Sequence, residues 1–279
     1  MKATTQPVKW PAEAIWEQIA PILPHFTVEV LPEIDSTNTE LMRRAKAGQI
    51  EPILLVAEKQ TAGRGRLGRE WHALADRTEV LPALTFSLGL PLSPLNWSGL
   101  SLAVGLSIAT SLHADIGLKW PNDLWLCESN SDRKLAGILI ETCAAASQRY
   151  VVIGVGINIV APSADLSAAQ AALRTPAAWL QELLPAVTAQ DALQKIVLAL
   201  VQDILQFAHH GFAPYQNRFN ALDVLKSRKV YVSGNVSGNV NIEGLEGLGM
   251  GVNAVGEFLV QTEQGQMTIN SSEVSVRPL

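Results

Sequence analysis

Cysteine is scarce in this chain, because only Cys127 and Cys143 occur among its 279 residues. Two thiols can form neither a disulfide framework nor a four-thiolate zinc site, and reduced thiols are typical of cytoplasmic proteins. An excess of basic residues is also missing, since 21 Lys and Arg stand against 26 Asp and Glu, with a formal net charge of −5. This balance argues against nucleic-acid binding through general basicity, so we expect no DNA partner.

The sequence also lacks a targeting signal and an uninterrupted membrane span. Residues 1–11 have no apolar core ahead of a small-residue cleavage site. No formally charged residue occurs between Glu79 and Asp115, but Pro91 and Pro94 interrupt this stretch. The stretch therefore predicts a strand, a turn and a buried helix, and we expect a cytoplasmic protein that does not cross a membrane.

Hydrophobic periodicity predicts an α+β fold. Strands are indicated at 27–34, 53–58, 83–90, 116–120, 124–126, 135–141 and 150–159, and helices at 10–23, 37–47, 97–113 and 176–209. Short turns join several of these strands, which favours a mixed or mostly antiparallel sheet over a doubly wound parallel sheet. After Phe219 the composition shifts to Val, Gly and Asn in short alternating runs, which predicts a small β domain at 221–279 after a larger domain at 1–220.

The second predicted helix carries a start signal. Residues 37–40 read Thr-Asn-Thr-Glu, which is the pattern of a capping box with Thr37 at the N-cap and Glu40 three residues later. Gly48 is typical of a helix end, so this helix is expected to stop there.

A Gly- and Arg-rich segment at 63–69, Gly-Arg-Gly-Arg-Leu-Gly-Arg, is the most unusual part of the chain. It matches the G-x-G-x-x-G pattern, but no acidic residue follows about twenty positions later to hold a ribose, which argues against a Rossmann site. The glycines permit a mobile backbone, and the arginines supply forked donors that match phosphate oxygens. The segment predicts phosphate binding; single-stranded nucleic-acid binding and a solvated surface loop are the alternatives.

Two further segments contain chemically active groups. Residues 119–123, Lys-Trp-Pro-Asn-Asp, place a cation, an indole, an amide and a carboxylate at a turn between two predicted strands. Gly137, Gly154 and Gly156 lie within strand patterns, where glycine weakens the strand unless something must approach the backbone closely. A flat ligand on the sheet would explain all three glycines, and a β-bulge is the alternative for any one of them.

Taken together, these segments resemble the biotin–protein ligases, the biotin–[carboxyl carrier protein] ligases of bacteria. The matching segments agree with the family in order and spacing over residues 34–158. The segments that match are 35–38, Gln60, 63–69, Trp71, 119–123, 133–139 and 154–158. The resemblance implies a class II synthetase-like catalytic domain at 1–220 and an SH3-like β-barrel at 221–279.

The resemblance also implies a two-step reaction. Biotin and ATP, the latter arriving with Mg²⁺, give biotinyl-5′-AMP and pyrophosphate, and a lysine of a biotin carboxyl carrier protein then takes the biotinyl group. The implied catalytic residues are Lys134 and Arg66. The implied biotin-binding residues are Ser36, Thr37, Asn38, Gln60, Arg64, Gly65, Arg66, Trp71, Lys134, Gly137, Gly154 and Gly156. The implied nucleotide-binding residues are Arg64, Arg66, Arg69, Lys119, Asn122, Asp123, Lys134, Asn158 and Arg277.

Residue chemistry supports these roles. A ureido ring offers two donors and one acceptor, which short hydroxyls and an amide such as Ser36, Thr37 and Gln60 can satisfy. Because Lys134 opens a predicted strand, we assign it mainly to catalysis, and we assign Arg64 and Arg66 mainly to capture of the adenylate. The sequence contains no His/Asp cluster that would form a dedicated metal site.

The chain departs from the family in two places. Residues 72–79, His-Ala-Leu-Ala-Asp-Arg-Thr-Glu, replace the Ser-Pro-x-Gly-like turn of the family. Only 35 residues precede Ser36, too few for the winged helix-turn-helix domain of some relatives, so we expect a monofunctional enzyme. A lipoate–protein ligase and a biotin-binding protein without transferase activity are the alternatives. A homodimer of the ligase is a further expectation that the sequence leaves open.

Overall fold

A computed structural model describes residues 8–71, 80–128, 131–145, 148–162, 175–236, 240–270 and 273–279. The divergent segment at 72–79 lies outside the described residues. The protein divides into two compact units, residues 1–93 with 133–201 and residues 94–132 with 202–279. Each unit is thus assembled from two separate segments of the chain. The domains expected at 1–220 and 221–279 stay a prediction.

Helices and strands alternate irregularly along the chain. The described helices are α1 (Ala12–Ile19), α2 (Thr37–Lys46), α3 (Leu100–Leu112), α4 (Ala189–His210) and α5 (Gln216–Leu222). The described strands are β1 (Thr27–Leu31), β2 (Ile53–Ala57), β3 (Ala83–Pro91), β4 (Gly117–Lys119), β5 (Asp123–Glu128), β6 (Ser131–Ala145), β7 (Gln148–Asn158), β8 (Lys229–Val236), β9 (Val240–Val252), β10 (Phe258–Thr262), β11 (Gly265–Ile269) and β12 (Glu273–Pro278). Most predicted strands are confirmed, although β6 is longer than expected.

The first unit is built on a mixed sheet. Its strands follow the order β1-β2-β3-β7-β6. Strands β1 and β2 pair in parallel because α2 connects them as a crossover, while β2–β3, β3–β7 and β6–β7 are antiparallel. The first eight residues of β3 are all buried, so this strand forms the centre of the unit. The predicted mixed α+β fold is confirmed.

The N-cap of helix α2 lies one residue earlier than the sequence predicted. Ser36 has extended backbone angles and is the N-cap, and its Oγ accepts a hydrogen bond from the Thr39 amide at 3.4 Å. Thr37 is therefore the first helical residue, and the capping box assigned to it is wrong. Glu40 pairs instead with Arg44, whose Nε lies 2.8 Å from a Glu40 carboxylate oxygen. The Thr37 side chain is thereby available for other contacts.

The helix predicted over 176–209 is wrong in its first part, because α4 begins only at Ala189. The preceding segment instead pairs with β6. The Lys134 amide donates to the Pro176 carbonyl at 2.8 Å, and the Ala178 amide donates to the Lys134 carbonyl at 2.8 Å. A tertiary β-bridge has therefore prevailed over local helical periodicity.

The second unit contains the β4–β5 pair, whose two strands and connecting turn were predicted, and the C-terminal sheet. Strands β4 and β5 pair antiparallel, and strands β8–β12 form an antiparallel sheet in the order β11-β10-β9-β8-β12. Trp120 is fully buried, its Nε1 donates to the Gly256 carbonyl at 3.1 Å, and its ring stacks on Phe258 at 5.5 Å. The predicted C-terminal β structure is confirmed, and its SH3-like character stays a prediction.

None of the described helices combines the length and the apolar character needed to cross a membrane.

Candidate active site

The Gly- and Arg-rich segment folds back on itself. The Trp71 amide donates to the Gly63 carbonyl at 2.9 Å, and the Gly65 amide donates to the Arg69 carbonyl at 2.7 Å. One 3₁₀ turn closes the tip, where Leu67 has a φ of +57°. A cavity of about 470 Å³ lies against this segment and is lined by residues 61–65 and 68–70. The predicted irregular loop is confirmed, and it offers arginine side chains beside an open cavity.

A buried polar cradle lies beside the loop, at the start of α2. Ser36, Thr37 and Asn38 are only 2–3% exposed. The Thr37 amide donates to Gln60 Oε1 at 2.8 Å, and Thr37 Oγ1 is 3.2 Å from the same oxygen. The structure therefore brings four of the sequence-predicted biotin contacts together.

Ser87 belongs to this cradle although sequence reasoning missed it. It lies on β3 with no exposed surface, and its Oγ donates to Asn38 Oδ1 at 2.6 Å and is 2.7 Å from Thr37 Oγ1. A signal was present in the sequence. Thr85 and Ser87 are the two hydroxyl residues of an otherwise apolar strand, and their spacing puts both side chains on one face.

Glu141 is a second residue that the sequence reasoning missed. Asn38 Nδ2 donates to the Leu139 carbonyl at 3.2 Å and to Glu141 Oε2 at 3.0 Å. The other Glu141 oxygen pairs with the Arg64 guanidinium, which also donates to Thr39 Oγ1 at 3.3 Å. Glu141 therefore joins the loop to the buried cradle.

Protein side chains cover the three glycines of the sheet. A Cβ atom at Gly154 would overlap Asn38 Oδ1, and one at Gly156 would overlap the Trp71 indole. A Cβ atom at Gly137 would lie 3.2 Å from Lys134 Nζ and 3.5 Å from the Trp71 ring. The missing side chains are thus explained by Asn38 and Trp71 packing on bare backbone, and contact with a flat ligand stays a prediction.

Lys134 lies on β6 with its ammonium group near the Trp71 ring. Lys134 Nζ is 6.0 Å from the ring centroid, within the range of a cation–π contact. Asn158 Nδ2 donates to the Lys134 carbonyl at 3.3 Å and to the Ala178 carbonyl at 3.1 Å. The backbone of Lys134 is therefore fixed on both sides, and the predicted contact of Asn158 with a nucleotide stays a prediction.

Four predicted nucleotide-side residues belong to the second unit. Lys119, Asn122 and Asp123 lie at the β4–β5 turn, and Arg277 is exposed on β12. Lys119 is only 8% exposed, and its Nζ lies 5.2 Å from the Trp125 ring centroid. Their assignment to a nucleotide site stays a prediction.

Asp223 is a buried carboxylate that the sequence reasoning also missed. It is 8% exposed and forms an isolated bridge with Leu118. Its Oδ1 accepts from the Leu225 amide at 3.0 Å, while its buried Oδ2 has no hydrogen-bond partner among the described residues. Burial raises the pKa of Asp223 to about 6, although the Leu225 amide and the charges of Lys226 and Lys119 act in the opposite direction.

Comparison with known proteins points to one family. The model of the biotin/lipoate A/B protein ligase family matches residues 30–158. The biotin–[acetyl-CoA-carboxylase] ligase of Mycobacterium tuberculosis is 41% identical over 140 residues, which span 47% of this chain and 49% of that protein. The bifunctional ligase/repressor BirA of Escherichia coli is 32% identical over 269 residues, which span 94% of this chain and 77% of that protein.

Solved structures agree with this similarity. A point mutant of the biotin protein ligase from Aquifex aeolicus, in complex with biotin, has a TM-score of 0.70 and 25% identity, and the match covers 90% of this chain and 98% of that one. The biotin protein ligase of Leishmania major in complex with biotinyl-5-AMP, at 23% identity and a TM-score of 0.53, supports the fold alone; that match covers 87% of this chain and 97% of that one.

Proposed function

The chain belongs to the biotin–protein ligase family, and from this premise we propose that it activates biotin with ATP and transfers the biotinyl group to a lysine of a carrier protein. The observation that supports this most directly is a juxtaposition within the first unit. The buried cradle around Thr37 and Gln60 lies at the start of α2, and Glu141 connects it to Arg64 of the Gly- and Arg-rich loop. Polar groups suited to a polar ring thus lie next to a cationic group suited to phosphate, which supports the proposal.

The reaction is proposed to run in two displacements. In the first, a carboxylate oxygen of biotin attacks the α-phosphorus of ATP, and pyrophosphate leaves. In the second, the neutral amine of the acceptor lysine attacks the acyl carbon of the adenylate, AMP leaves, and an amide forms as the amine loses a proton. Negative charge builds on the phosphate oxygens in the first displacement, so fixed cations accelerate it.

We assign that task to Lys134. It lies on β6, and its backbone is held by the 176–178 segment and by Asn158. Arg64 and Arg66 belong to a loop, so we assign them to capture of the adenylate. A preorganised charge is worth more in a transition state than one that must first be ordered.

Mg²⁺ enters this proposal as part of the Mg–ATP substrate. Within the described part of the chain, no group of three or more His, Cys, Asp or Glu side chains could hold a metal ion. Phosphate oxygens are the usual ligands of Mg²⁺ in such reactions.

The proposed macromolecular partner is a biotin carboxyl carrier protein. Acidic net charge supports the absence of a DNA partner, and two cysteines without a disulfide between them support a cytoplasmic location. A homodimer stays a prediction.

The decisive experiment is exchange of labelled pyrophosphate into ATP, run in parallel with biotin and with lipoate. We expect exchange that depends on biotin and is absent with lipoate, because the cradle offers paired donors and acceptors that a dithiolane ring cannot use. Exchange with lipoate alone would favour a lipoate ligase. Biotin binding without exchange would favour a binding protein.

Lys134→Ala should lower biotin-dependent exchange by about a hundredfold to a thousandfold, by analogy with loss of one transition-state donor. Lys46→Ala is the matched control, because Lys46 is an exposed lysine in the last turn of α2. Equal exchange rates in the two variants would remove Lys134 from the first displacement.

A further inference from the structure

Both main-chain polar groups of Lys134 bond to one short segment of the first unit, residues 176–182, which we call the strap. The Lys134 amide donates to the Pro176 carbonyl, and the Lys134 carbonyl accepts the Ala178 amide, each at 2.8 Å. The described pairing of β6 with β7 begins two residues later, at Ala136. At Lys134 the strap therefore takes the place of a neighbouring strand, and the position of the strap sets the position of this lysine.

An ion pair ties the strap to β6 at the residue next to Lys134. Arg133 Nη1 donates to Glu182 Oε1 at 2.9 Å, and Arg133 Nη2 lies 2.7 Å from Glu182 Oε2. Two parallel contacts of this kind fix the relative orientation of both side chains, which a single contact does not. The two side chains are 17% and 33% exposed, so solvent screens the pair only in part.

Glu182 also shapes the strap itself. Its Oε1 accepts the Trp179 amide at 2.8 Å, at the start of a 3₁₀ turn. The Gln181 amide donates to the Ile159 carbonyl at 3.1 Å, which anchors the turn beside the end of β7. The turn, the ion pair and the Lys134 backbone are thus linked in one closed ring of contacts.

We propose that Arg133 and Glu182 are positioning residues for the first displacement, because their ion pair holds the strap on β6 and so fixes the Lys134 ammonium group. The inference rests on the proposed function and deepens it, since it names what keeps the proposed catalytic cation in place. Neither residue touches biotin or ATP in this scheme. The ammonium group must meet the α-phosphate oxygens within a narrow range of positions, and a misplacement of about 1 Å can cost a large factor in rate.

The test measures biotin-dependent exchange of labelled pyrophosphate into ATP for Arg133→Met, Glu182→Gln and the double variant. Each single variant should lower the maximal exchange rate about tenfold, because the lysine loses part of its preorganisation. The double variant should lower it no further, because either change opens the same ion pair. The KM and the Kd for biotin should stay within about twofold of the wild-type values, since biotin does not contact the pair.

A Lys134→Ala background separates positioning from a general structural effect. Without the ammonium group nothing is left to position, so Arg133→Met should change the residual exchange by less than about twofold. In the wild-type background, Arg133→Lys keeps the charge but loses the fork that matches a carboxylate. It should therefore recover only part of the rate lost in Arg133→Met.

Arg44→Met is the matched control, because Arg44 forms the same kind of pair elsewhere in the first unit. Its two terminal nitrogens lie 2.5 and 3.0 Å from the Glu29 carboxylate oxygens, and the two side chains are 23% and 36% exposed. This variant should exchange at the wild-type rate. Urea denaturation checks that each variant folds; if Arg133→Met does not, Glu182→Gln keeps an oxygen for the Trp179 amide and carries the test.

Four outcomes would overturn the inference. Wild-type exchange rates in both single variants would mean that the ion pair does not position Lys134. A loss of biotin binding as large as the loss of rate would reduce the pair to a structural role. An effect of Arg133→Met that is undiminished in the Lys134→Ala background would make it independent of Lys134. Slow exchange in Arg133→Met with normal exchange in Glu182→Gln would make Arg133 a direct phosphate ligand.

The proposed function fails in a different way. Wild-type protein without biotin-dependent exchange would refute the proposed function itself, whatever the variants do.

Discussion

Replacing Asp223 by Asn should stabilise the protein, and the gain should grow with pH. The Asp223 carboxyl is buried, and one of its oxygens has no hydrogen-bond partner among the described residues. Burial raises the pKa of Asp223 from 3.8 to about 6. The folded protein therefore binds this proton more tightly than the unfolded chain, and ionisation above pH 6 opposes folding. Asn keeps an oxygen to accept the Leu225 amide and has no charge to bury.

The magnitude follows from linkage. At about 1.4 kcal/mol per pH unit, the raised pKa of Asp223 corresponds to a penalty of about 3 kcal/mol above pH 7. The penalty is absent well below pH 3.8, grows between the two pKa values, and is about 1 kcal/mol near pH 4.5. The stability advantage of Asp223→Asn should therefore increase by about 2 kcal/mol between about pH 4.5 and about pH 8.

Urea denaturation of both proteins across this pH range measures the advantage. Glu17→Gln, which removes an exposed carboxylate from α1, is the control for the loss of one negative charge. An advantage that is constant with pH, or that shrinks as pH rises, would refute the reasoning. A constant advantage would mean that the stability cost of Asp223 comes from the shape of its side chain and not from its charge. A shrinking advantage would mean that attraction to Lys119 and Lys226 stabilises the charged carboxylate more than burial destabilises it.

Two smaller perturbations test other contacts. Gly156→Ala should destabilise the protein by about 1–3 kcal/mol in urea denaturation, because the new Cβ would overlap the Trp71 indole. An equal loss of stability in a Trp71→Ala background would contradict that cause. Cys127 is exposed, but partial desolvation and its hydrogen bond to Asp132 raise the pKa of its thiol to about 12. In a Cys143→Ser background, Asp132→Asn should therefore speed the reaction of Cys127 with a thiol reagent, and an unchanged rate would assign the effect to desolvation alone.

Local patterns in the sequence were enough to place most of the secondary structure. Strand β3 and helix α3 are predominantly apolar and free of charge, and the loop at 63–69 is marked by its glycines, so each could be located without tertiary information. The helix start was misplaced by one residue because Ser36 and Thr37 are both capable N-caps, and only tertiary contacts decide between them. Pattern alone does not distinguish two adjacent hydroxyls.

The candidate site was predictable to a smaller extent. Residues with unusual chemistry, such as Lys134 and the loop arginines, stand out in the sequence. Glu141 and Asp223 do not, and Ser87 is marked only as a hydroxyl in an otherwise apolar strand. Ser87 and Glu141 matter because the β3–β7 and β6–β7 registers bring them to the α2 N-terminus, and register is a property of the folded sheet. Asp223 differs from any surface aspartate only in being buried.

The interleaved origin of the two units governs what fragments of this protein can do. Residues 94–132 are inserted, along the chain, between the two segments of the first unit, and residues 133–201 are inserted between the two segments of the second. No single break in the polypeptide can therefore release either unit whole, and a fragment ending at residue 220 would carry residues 94–132 without most of the chain they fold with. During ribosomal synthesis the first unit is complete only once the chain has passed residue 201, and the second only once residues 202–279 have followed, so neither unit can finish folding early.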